Sequence, residues 1–406
     1  MPAFIPETEG EAADVVRAAL SDNLSIEITG TGSKRGWGRL VAAEVDLKLS
    51  ALKGIECYEP EELVLTAKAG TAMSEIEQTI AEKDQILAFE PPDFGPLYGF
   101  APGAGTLGGI IACNLSGPAR IRSGAARDHV LGLDAIGGRG EIFHSGGRVV
   151  KNVTGFDLSK VMTGSFGTLG VLTSITVRAL PRPEKLRTVL IFGLDWTRAG
   201  EAMTAALQSP HDINGAAHLP GGAAALSAAG YVAGAGGPVT ALRIEGPGPS
   251  AAARCAALRT LLATFGETEE LHGHNSRILW REVRDVAALL PDTARCLWRL
   301  SVPPASGAAV TEALTAATGG AAFLDWGGGL IWLAVAPGLD ASAGAVRAAI
   351  AECGGHATLM RAPDGLRAQV PVFQPEDAIT EQLAARLKTV FDPSGIFNPG
   401  RMSEGR

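Results

Sequence analysis

Three glycine-rich segments contain the residue types that a backbone needs to bind a phosphate-bearing ligand. They are residues 30–36, 103–109 and 164–170. Glycine lets the backbone approach a flat ligand and adopt positive φ angles, and free backbone N–H groups can donate to phosphate oxygens. The last two segments predict a site for a large, flat ligand carrying phosphates. The first predicts an anion site to which Lys34 or Arg35 could add charge, with an ordinary tight turn as the alternative.

Local patterns predict the elements that position these segments. Alternating apolar and polar residues predict strands, and apolar residues at helical spacing behind a capping residue predict helices. The predicted helices are residues 8–20, where Thr8 and Glu11 can form a capping box, and 72–82, capped by Thr71; the predicted strands are residues 24–29, 45–49, 55–58, 63–67, 130–136 and 142–150. This order predicts an α+β domain with a mixed sheet, not a doubly wound fold.

A dinucleotide-binding fingerprint of the Rossmann type is an alternative for the second segment. Gly103, Gly105 and Gly108 have the G-x-G-x-x-G spacing, and Asp128 lies at a suitable distance for a ribose ligand. That fingerprint requires a strand immediately before it. The preceding residues 90–96 are too rich in proline for a central strand, so the pattern argues against this alternative.

Composition excludes several classes of protein. The chain has 406 residues, a formal net charge of −8 and 46% hydrophobic residues, which predicts two or more globular domains and gives no electrostatic case for nucleic-acid binding. No apolar run approaches the ~18 residues of a membrane span. The N-terminus lacks the basic and apolar regions of a signal peptide, so we expect a cytoplasmic protein.

Cysteine and histidine spacing gives no metal-binding pattern. The five cysteines contain no C-x-x-C pair, which argues against an iron–sulfur site, a zinc site or a disulfide framework. His272 and His274 flank Gly273, but no acidic or cysteine partner stands at ligand spacing. We therefore predict no bound metal and interpret most of the cysteines as buried thiols.

Several motifs, taken as an ordered set, resemble one family. They are residues 30–36, 105–109, 127–132, 151–155, 155–158, 164–170 and 391–401. In this order they are similar to the FAD-binding domain of the vanillyl-alcohol oxidase family, the PCMH-type FAD-linked oxidases, and most similar to the FAD-binding subunits of bacterial glycolate oxidases. The resemblance covers residues 1 to about 185 and 355–406. It implies an α+β fold: a PCMH-type FAD-binding domain of two α+β subdomains (1–185), an α+β cap domain (186–354) and a C-terminal segment (355–406) that returns to the FAD domain.

The resemblance also implies which residues contact FAD. The first loop would hold the pyrophosphate, the second segment would form its other wall and then pass beside the flavin ring, the third would line the adenine and ribose, and the tail would lie near the isoalloxazine. In that order the residues are Gly30, Thr31, Gly32 and Ser33; Gly105, Thr106, Gly108, Gly109, Asn114, Ser116 and Gly117; Ser165, Gly167, Leu169 and Val171; and Asn398. For each glycine, a packing or turn requirement is the alternative.

Departures from the family pattern limit the predicted chemistry. Members of the family that this chain resembles, when they attach FAD covalently, have a histidine in the first glycine-rich loop or a cysteine in a later one. Here Lys34 stands in the first loop without a histidine, and we interpret Cys113 as a buried packing residue. The resemblance therefore implies non-covalent FAD. The H-x-G-D-G-N-x-H motif of members that oxidise 2-hydroxy acids is missing, and neither a base nor a cation for a hydroxy acid is visible.

The middle of the chain predicts the cap domain. Residues 251–265, 275–290 and 309–317 suit helices, residues 239–245 a strand, and residues 326–335 a glycine turn that leads into an apolar strand. Four tryptophans in this region favour an apolar core or a subunit interface over a substrate cleft; they are Trp280, Trp298, Trp326 and Trp332. Residues 376–390 suit a helix and 392–395 a turn.

The function implied by the resemblance is that of an FAD-binding subunit of a glycolate oxidase complex, which converts glycolate to glyoxylate and passes electrons to the respiratory chain. The implied partners are a flavoprotein subunit (D) and an iron–sulfur subunit (F), with any membrane attachment through them. We expect this chain to relay electrons or to scaffold the complex. Two alternatives are an autonomous FAD-dependent dehydrogenase using Lys151, Asp157 or His129, and a structural subunit that no longer binds FAD.

Overall fold

The computed structural model describes residues 1–148 and 155–404 and forms two compact units. The first unit contains Met1–Ser116, Gly124–Arg182 and Pro375–Arg406, and the second contains Gly117–Ser123 and Pro183–Gln374. Both units are therefore discontinuous in sequence.

The strands among the described residues are, in chain order, β1 (Ala3–Phe4), β2 (Ile26–Thr29), β3 (Val45–Lys48), β4 (Ile55–Glu59), β5 (Val64–Lys68), β6 (Gln85–Ile86), β7 (Val130–Ile136), β8 (Ile142–Gly146), β9 (Val171–Arg178), β10 (Leu180–Pro181), β11 (Lys185–Phe192), β12 (Ile213–Leu219), β13 (Val239–Gly246), β14 (Thr268–His272), β15 (Cys296–Ser301), β16 (Ala321–Asp325), β17 (Leu330–Val335) and β18 (His356–Arg361).

The α-helices in the same residues are α1 (Glu9–Ser21), α2 (Met73–Ala81), α3 (Leu107–Ala112), α4 (Arg120–Ser123), α5 (Ala126–His129), α6 (Leu158–Met162), α7 (Trp196–Leu207), α8 (Gly221–Ala224), α9 (Gly230–Ala233), α10 (Gly248–Leu262), α11 (Gly273–Arg284), α12 (Pro304–Thr318), α13 (Ala343–Cys353), α14 (Asp364–Gln369) and α15 (Ala378–Phe391). None of the described helices is long and apolar enough to cross a lipid bilayer.

The first unit is built on two separate main sheets. One is parallel, with strand order β1-β3-β2, and the other is antiparallel, with order β4-β5-β9-β7-β8. The α+β class is confirmed, but the expected single mixed sheet is wrong. The long 30–44 segment returns β3 parallel to β2, whereas a tight turn makes β4 and β5 an antiparallel hairpin.

Local signals place most of the first unit's elements within a few residues. The Thr8 hydroxyl accepts a hydrogen bond from Glu11 N at 3.2 Å, which starts α1 as expected. Thr71 does not cap α2: its hydroxyl accepts from Gly54 N and donates to Lys68 O, and Ala72 is the N-cap residue. The strand predicted over 142–150 is β8, and residues 149–150 lie outside the described residues.

The second unit is an antiparallel sheet of eight strands in the order β14-β11-β13-β12-β16-β17-β15-β18. Successive side chains of a strand point to opposite faces. On one face Trp298 and Leu300 of β15, Ile331 of β17 and Leu359 of β18 join the buried core, against which helices α7, α10, α12 and α13 pack. The predicted tryptophans are all buried: Trp280, Trp298, Trp326 and Trp332.

The boundary between the second unit and the returning tail differs from the sequence-based boundary at residue 354. β18 pairs along its length with β15, and the second unit continues to Gln374. The part of the tail in the first unit begins at Pro375 and contains α15, which Asp377 caps. Residues 117–123 also belong to the second unit.

Candidate functional site

A cleft in the first unit brings together residues from all three glycine-rich segments and the C-terminal tail. It contains about 780 Å³ of empty space, part of it open to solvent. Its lining residues are Ile28, Thr29, Gly30, Thr31, Gly32, Ser33, Lys34, Arg35, Trp37, Leu49, Ala69, Thr106, Gly108, Gly109, Ala112, Cys113, Phe166, Gly167, Gly170, Leu172, Asn398 and Arg401.

The first glycine-rich loop offers backbone donors to this cleft. It follows directly after β2, and Gly32 has a positive φ of 80°, which favours glycine. The backbone N–H groups of Thr31, Gly32 and Ser33 form no hydrogen bond with any residue that the structure describes. Successive free N–H groups in such a turn form a concave anion site. The loop therefore fits an oxyanion such as a phosphate.

Two glycines allow the backbone segments around the cleft to approach each other. A Cβ at Gly30 would lie 2.5 Å from Thr106 Oγ1, and a Cβ at Gly108 would lie 2.8 Å from the Cβ of Ala69. Thr106 caps α3 through a 3.3 Å hydrogen bond from Gly109 N. The backbone N–H groups of the first two residues of α3 are occupied as well, because Leu107 N donates to Thr71 O and Gly108 N donates to Ala69 O. The free donors of the cleft thus come from the first loop.

Lys34 brings a positive charge to the same loop. Its Nζ lies 3.5 Å from Ser33 Oγ, and a Cβ at Gly109 would be 3.2 Å from this Nζ. Within the described part of the chain, Lys34 has no ion-pair partner. Burial lowers the pKa of Lys34, while Cys113 and Asp93 oppose the shift. An unpaired, partly desolvated ammonium beside free N–H donors fits a pyrophosphate.

Cys113 is the cysteine on this cleft. Burial raises the pKa of its thiol to about 11, against the opposing charges of Lys34 and Arg401. A thiol with such a pKa stays protonated near neutral pH and is a poor nucleophile. The side chain of Cys113 is partly exposed, not fully buried as the sequence-based interpretation had it.

The C-terminal tail closes the cleft through Asn398. Its Oδ1 accepts from Ile28 N at 2.8 Å, and its Nδ2 donates to Phe166 O at 2.7 Å. Asn398 N also donates to Ile26 O, so the tail extends the edge of β2. The side chain of Asn398 therefore joins β2, which leads into the first glycine-rich segment, to the third segment.

Arg401 fixes the chain that follows the first loop. Its Nη1 donates to the carbonyls of Arg35 and Trp37, and its Nη2 donates to Glu27 Oε1 at 2.8 Å. Glu27 also pairs with Arg35, and its carboxylate is buried. Sequence reasoning assigned no role to Arg401, Trp37 or Phe166. Arg401 does follow Asn398 closely in the tail motif, which was the available signal.

The structure brings together some of the predicted FAD-contacting residues and leaves others apart. Those that line the cleft are Gly30, Thr31, Gly32, Ser33, Thr106, Gly108, Gly109, Gly167 and Asn398. Those outside its lining are Gly105, Asn114, Ser116, Gly117, Ser165, Leu169 and Val171. Asn114 and Ser116 accept from Arg127 N and Ala126 N, Gly117 belongs to the second unit, and Val171 is buried in β9.

Of the three suggested acid–base groups, the two that the structure describes, Asp157 and His129, do not line the cleft. Lys151 lies outside the described residues. Asp157 is exposed before α6, and His129 is buried with its ring 5.5 Å from that of Phe89.

Comparison with known proteins identifies the family. A family model described as an FAD binding domain matches residues 2–146. The glycolate oxidase subunit GlcE of Escherichia coli (strain K12) is 34% identical over 390 residues, which cover 95% of each chain. The chain belongs to the GlcE family. The glycolate oxidase subunit GlcD of Bacillus subtilis (strain 168) is 32% identical to this chain over 162 residues, which are 40% of this chain and 31% of GlcD.

Solved structures show the same fold at low identity. The 4-ethylphenol oxidase of Gulosibacter chungangensis aligns with a TM-score of 0.75 and 15% identity, covering 99% of this GlcE-family chain and 88% of the oxidase. A p-cresol methylhydroxylase structure aligns with a TM-score of 0.71 and 16% identity, covering 99% and 89%. The chain thus has the fold of the PCMH-type FAD-binding proteins, as the sequence motifs predicted, and FAD is its cofactor.

Proposed function

We propose that this chain is the FAD-binding subunit of a glycolate oxidase complex that converts glycolate to glyoxylate and passes electrons to the respiratory chain. The observation that carries the proposal is the 34% identity to GlcE across 95% of both chains. Similarity over nearly the whole of both chains includes the second unit, whereas the similarity to GlcD spans only part of each protein.

The cleft of the first unit supports non-covalent FAD binding. The free N–H groups of Thr31, Gly32 and Ser33 would donate to the pyrophosphate, and Lys34 would neutralise part of its charge. Gly30 and Gly108 keep the walls close, and Asn398 holds the tail against the loop. Bound FAD supplies electron and hydride transfer, chemistry that no amino-acid side chain provides.

We further propose that the chain relays electrons or scaffolds the complex, with the hydroxy-acid chemistry on a flavoprotein D subunit and an iron–sulfur F subunit completing the assembly. The sequence supports this division because it lacks the H-x-G-D-G-N-x-H motif. Neither His129 nor Asp157 lines the cleft in which FAD is expected to bind. The full set of FAD-contacting residues predicted above is part of the same proposal.

Absorption spectroscopy tests this function. The chain is purified alone and after co-expression with the proposed D and F subunits, and glycolate is then added without oxygen. We expect flavin absorbance in the chain alone that glycolate does not bleach, and bleaching of all the flavin in the complex. A chain that refuses added FAD would refute the cofactor role, and rapid bleaching in the isolated chain would refute the relay role.

A further inference from the structure

Helix α15 of the returning tail exposes its apolar side chains to solvent. None of its residues is buried, whereas α1, α2 and α7 each bury several. A surface helix normally turns its apolar row towards the core. The exposed side chains of α15, here called the α15 stripe, are Ile379 (72% exposed), Leu383 (58%), Leu387 (38%) and Val390 (62%).

The α15 stripe follows one face of the helix. Its members are four, four and three residues apart, so at about 100° per residue they lie within about 80° of one another. Phe391 comes one turn after Leu387 and extends the apolar surface to Phe143 of β8, with 6.3 Å between the ring centres. A continuous exposed apolar surface of this kind marks an interaction site.

Hydrogen bonds on the other side of α15 hold the helix to the first unit. Lys388 Nζ donates to Thr168 O at 2.7 Å and to Phe397 O at 3.0 Å, and it pairs with Asp392 at 2.6 Å. Arg139 Nη1 donates to a carbonyl of the last turn, that of Val390. Because these bonds fix the rotation of the helix, the α15 stripe cannot turn towards the core without breaking them.

The charges of α15 do not suit a lipid surface. Helices that lie on membranes carry lysine and arginine on the polar face, where they meet anionic lipids. Residues 376–391 contain three acidic side chains, Glu376, Asp377 and Glu381, and two basic ones, Arg386 and Lys388. Lys388 is already bonded to oxygens of the first unit. The charge pattern therefore favours a protein over a membrane as the occupant of the stripe.

A second copy of this chain fits the α15 stripe less well than a groove does. A stable interface needs about 800 Å² of surface from each protein. Four aliphatic side chains of roughly 100 Å² each supply about half of that when two stripes pack face to face. A groove buries more, because it also encloses the flanks of the helix, and both flanks of α15 are exposed, as at Gln382 and Ala384.

Arg386 adds a charge beside the stripe. It is exposed, lies one turn before Val390, and forms neither a hydrogen bond nor an ion pair with the residues that the structure describes. A guanidinium binds a carboxylate with two parallel hydrogen bonds, and complementary charges fix the register of an interface. The matching groove therefore carries an acidic side chain at the rim next to Arg386.

We propose that α15 binds in an apolar groove of a partner subunit, with the α15 stripe as its anchors and a carboxylate of the partner paired with Arg386. This is the mode in which an amphipathic helix lays its apolar face into a groove. That the partner belongs to a glycolate oxidase complex rests on the proposed function. The returning tail would then have two tasks, since Asn398 closes the cleft and α15 binds the partner.

A competition between native and variant chains tests this docking surface. The two chains carry different tags and are co-expressed with the proposed D and F subunits, and mass spectrometry gives their ratio in the purified complex and in the free pool. Leu383→Glu should be depleted from the complex roughly 30-fold, the value of one buried anchor, and Arg386→Glu roughly 10-fold. Leu339→Glu is the matched control, because Leu339 is a leucine of the second unit with 95% exposure, and it should compete equally.

Hydrogen exchange locates the contact. The backbone amides of residues 378–391 should exchange more slowly in the complex than in the isolated chain. Leu383→Glu should keep the native melting temperature and flavin content, because it changes an exposed side chain. If this variant fails to fold by circular dichroism, Ile379→Glu and Arg386→Glu decide.

The outcomes also separate the docking surface from the proposed function. Native-like incorporation of folded Leu383→Glu, or unchanged exchange in α15, would refute the docking surface, even if the complex oxidises glycolate. A complex without glycolate-dependent turnover would refute the function, even if Leu383→Glu is excluded from it. Two further results would overturn the proposal if Leu383→Glu abolished them: dimerisation of the isolated chain in analytical ultracentrifugation, and flotation of the chain with phosphatidylcholine–phosphatidylglycerol vesicles.

Discussion

Replacing Lys34 by methionine should have opposite effects on the apo-protein and on cofactor binding. Burial lowers the pKa of Lys34, so the charged ammonium is less favourable in the folded apo-protein than in the unfolded chain. Between the lowered pKa and the ordinary value, the unfolded chain binds more protons, and the contribution of Lys34 to stability rises with pH. Below the lowered pKa the full cost of the buried charge is present. Methionine removes that cost, so we expect the apo-protein of Lys34→Met to melt at a higher temperature at neutral pH.

FAD binding should weaken in the same variant. The ammonium lies at the loop whose free N–H groups fit a pyrophosphate, and a hydrogen bond to a charged group contributes about 1.5–3 kcal/mol. Loss of that interaction corresponds to a roughly 10- to 150-fold higher Kd for FAD. In the native protein the affinity should fall as pH rises through the pKa of Lys34, whereas the variant should lose this pH dependence.

Two titrations measure these effects. Flavin fluorescence quenching gives the Kd of the apo-protein for FAD between neutral and alkaline pH, and differential scanning calorimetry gives the apo-protein Tm. Lys53→Met is the matched control, because Lys53 is exposed and outside the cleft. A Kd for Lys34→Met within about twofold of native, with native-like circular dichroism, would refute the pyrophosphate role of Lys34. A lower Tm for the apo-protein of this variant would refute the desolvation argument.

Other predictions concern the walls of the cleft. Asn398→Ala should destabilise the protein by about 1–3 kcal/mol through loss of the hydrogen bonds from Ile28 N and to Phe166 O, as measured by urea unfolding; a loss below about 0.5 kcal/mol would contradict the joining role of this side chain. Gly30→Ala should lower the flavin-to-protein absorbance ratio, because the new Cβ would lie 2.5 Å from Thr106 Oγ1; the Gly30→Ala/Thr106→Ala double variant should recover part of it, and no recovery would mean that the contact is not the cause. Cys113, with a pKa of about 11, should have roughly a thousandth of its thiol ionised at pH 8, so iodoacetamide should label it slowly in the folded protein by mass spectrometry; fast labelling before unfolding would exclude the raised pKa.

Local sequence patterns predicted much of the fold. The alternation around residues 24–29 located β2, and the capping pair Thr8 and Glu11 located the start of α1. The ordered motifs predicted the PCMH-type fold that the solved structures share. These predictions succeed because strand alternation, helix caps and glycine turns act between residues close in sequence. The single mixed sheet and the cap formed by Thr71 failed because strand pairing and the partners of a hydroxyl depend on distant residues.

The sequence by itself determined that three glycine-rich segments exist, that a charged lysine stands in the first, and which family the chain resembles. The tertiary structure decided which backbone donors remain free. The first two N–H groups of α3 donate to Thr71 O and Ala69 O, whereas those of the first loop form no hydrogen bond with the described residues. It also decided that Asn398 reaches Ile28 across 370 residues and that Arg120 and Arg299 share the ring of Trp326. Spacing along the chain cannot encode such contacts, because they depend on sheet register and chain return, which only the folded packing fixes.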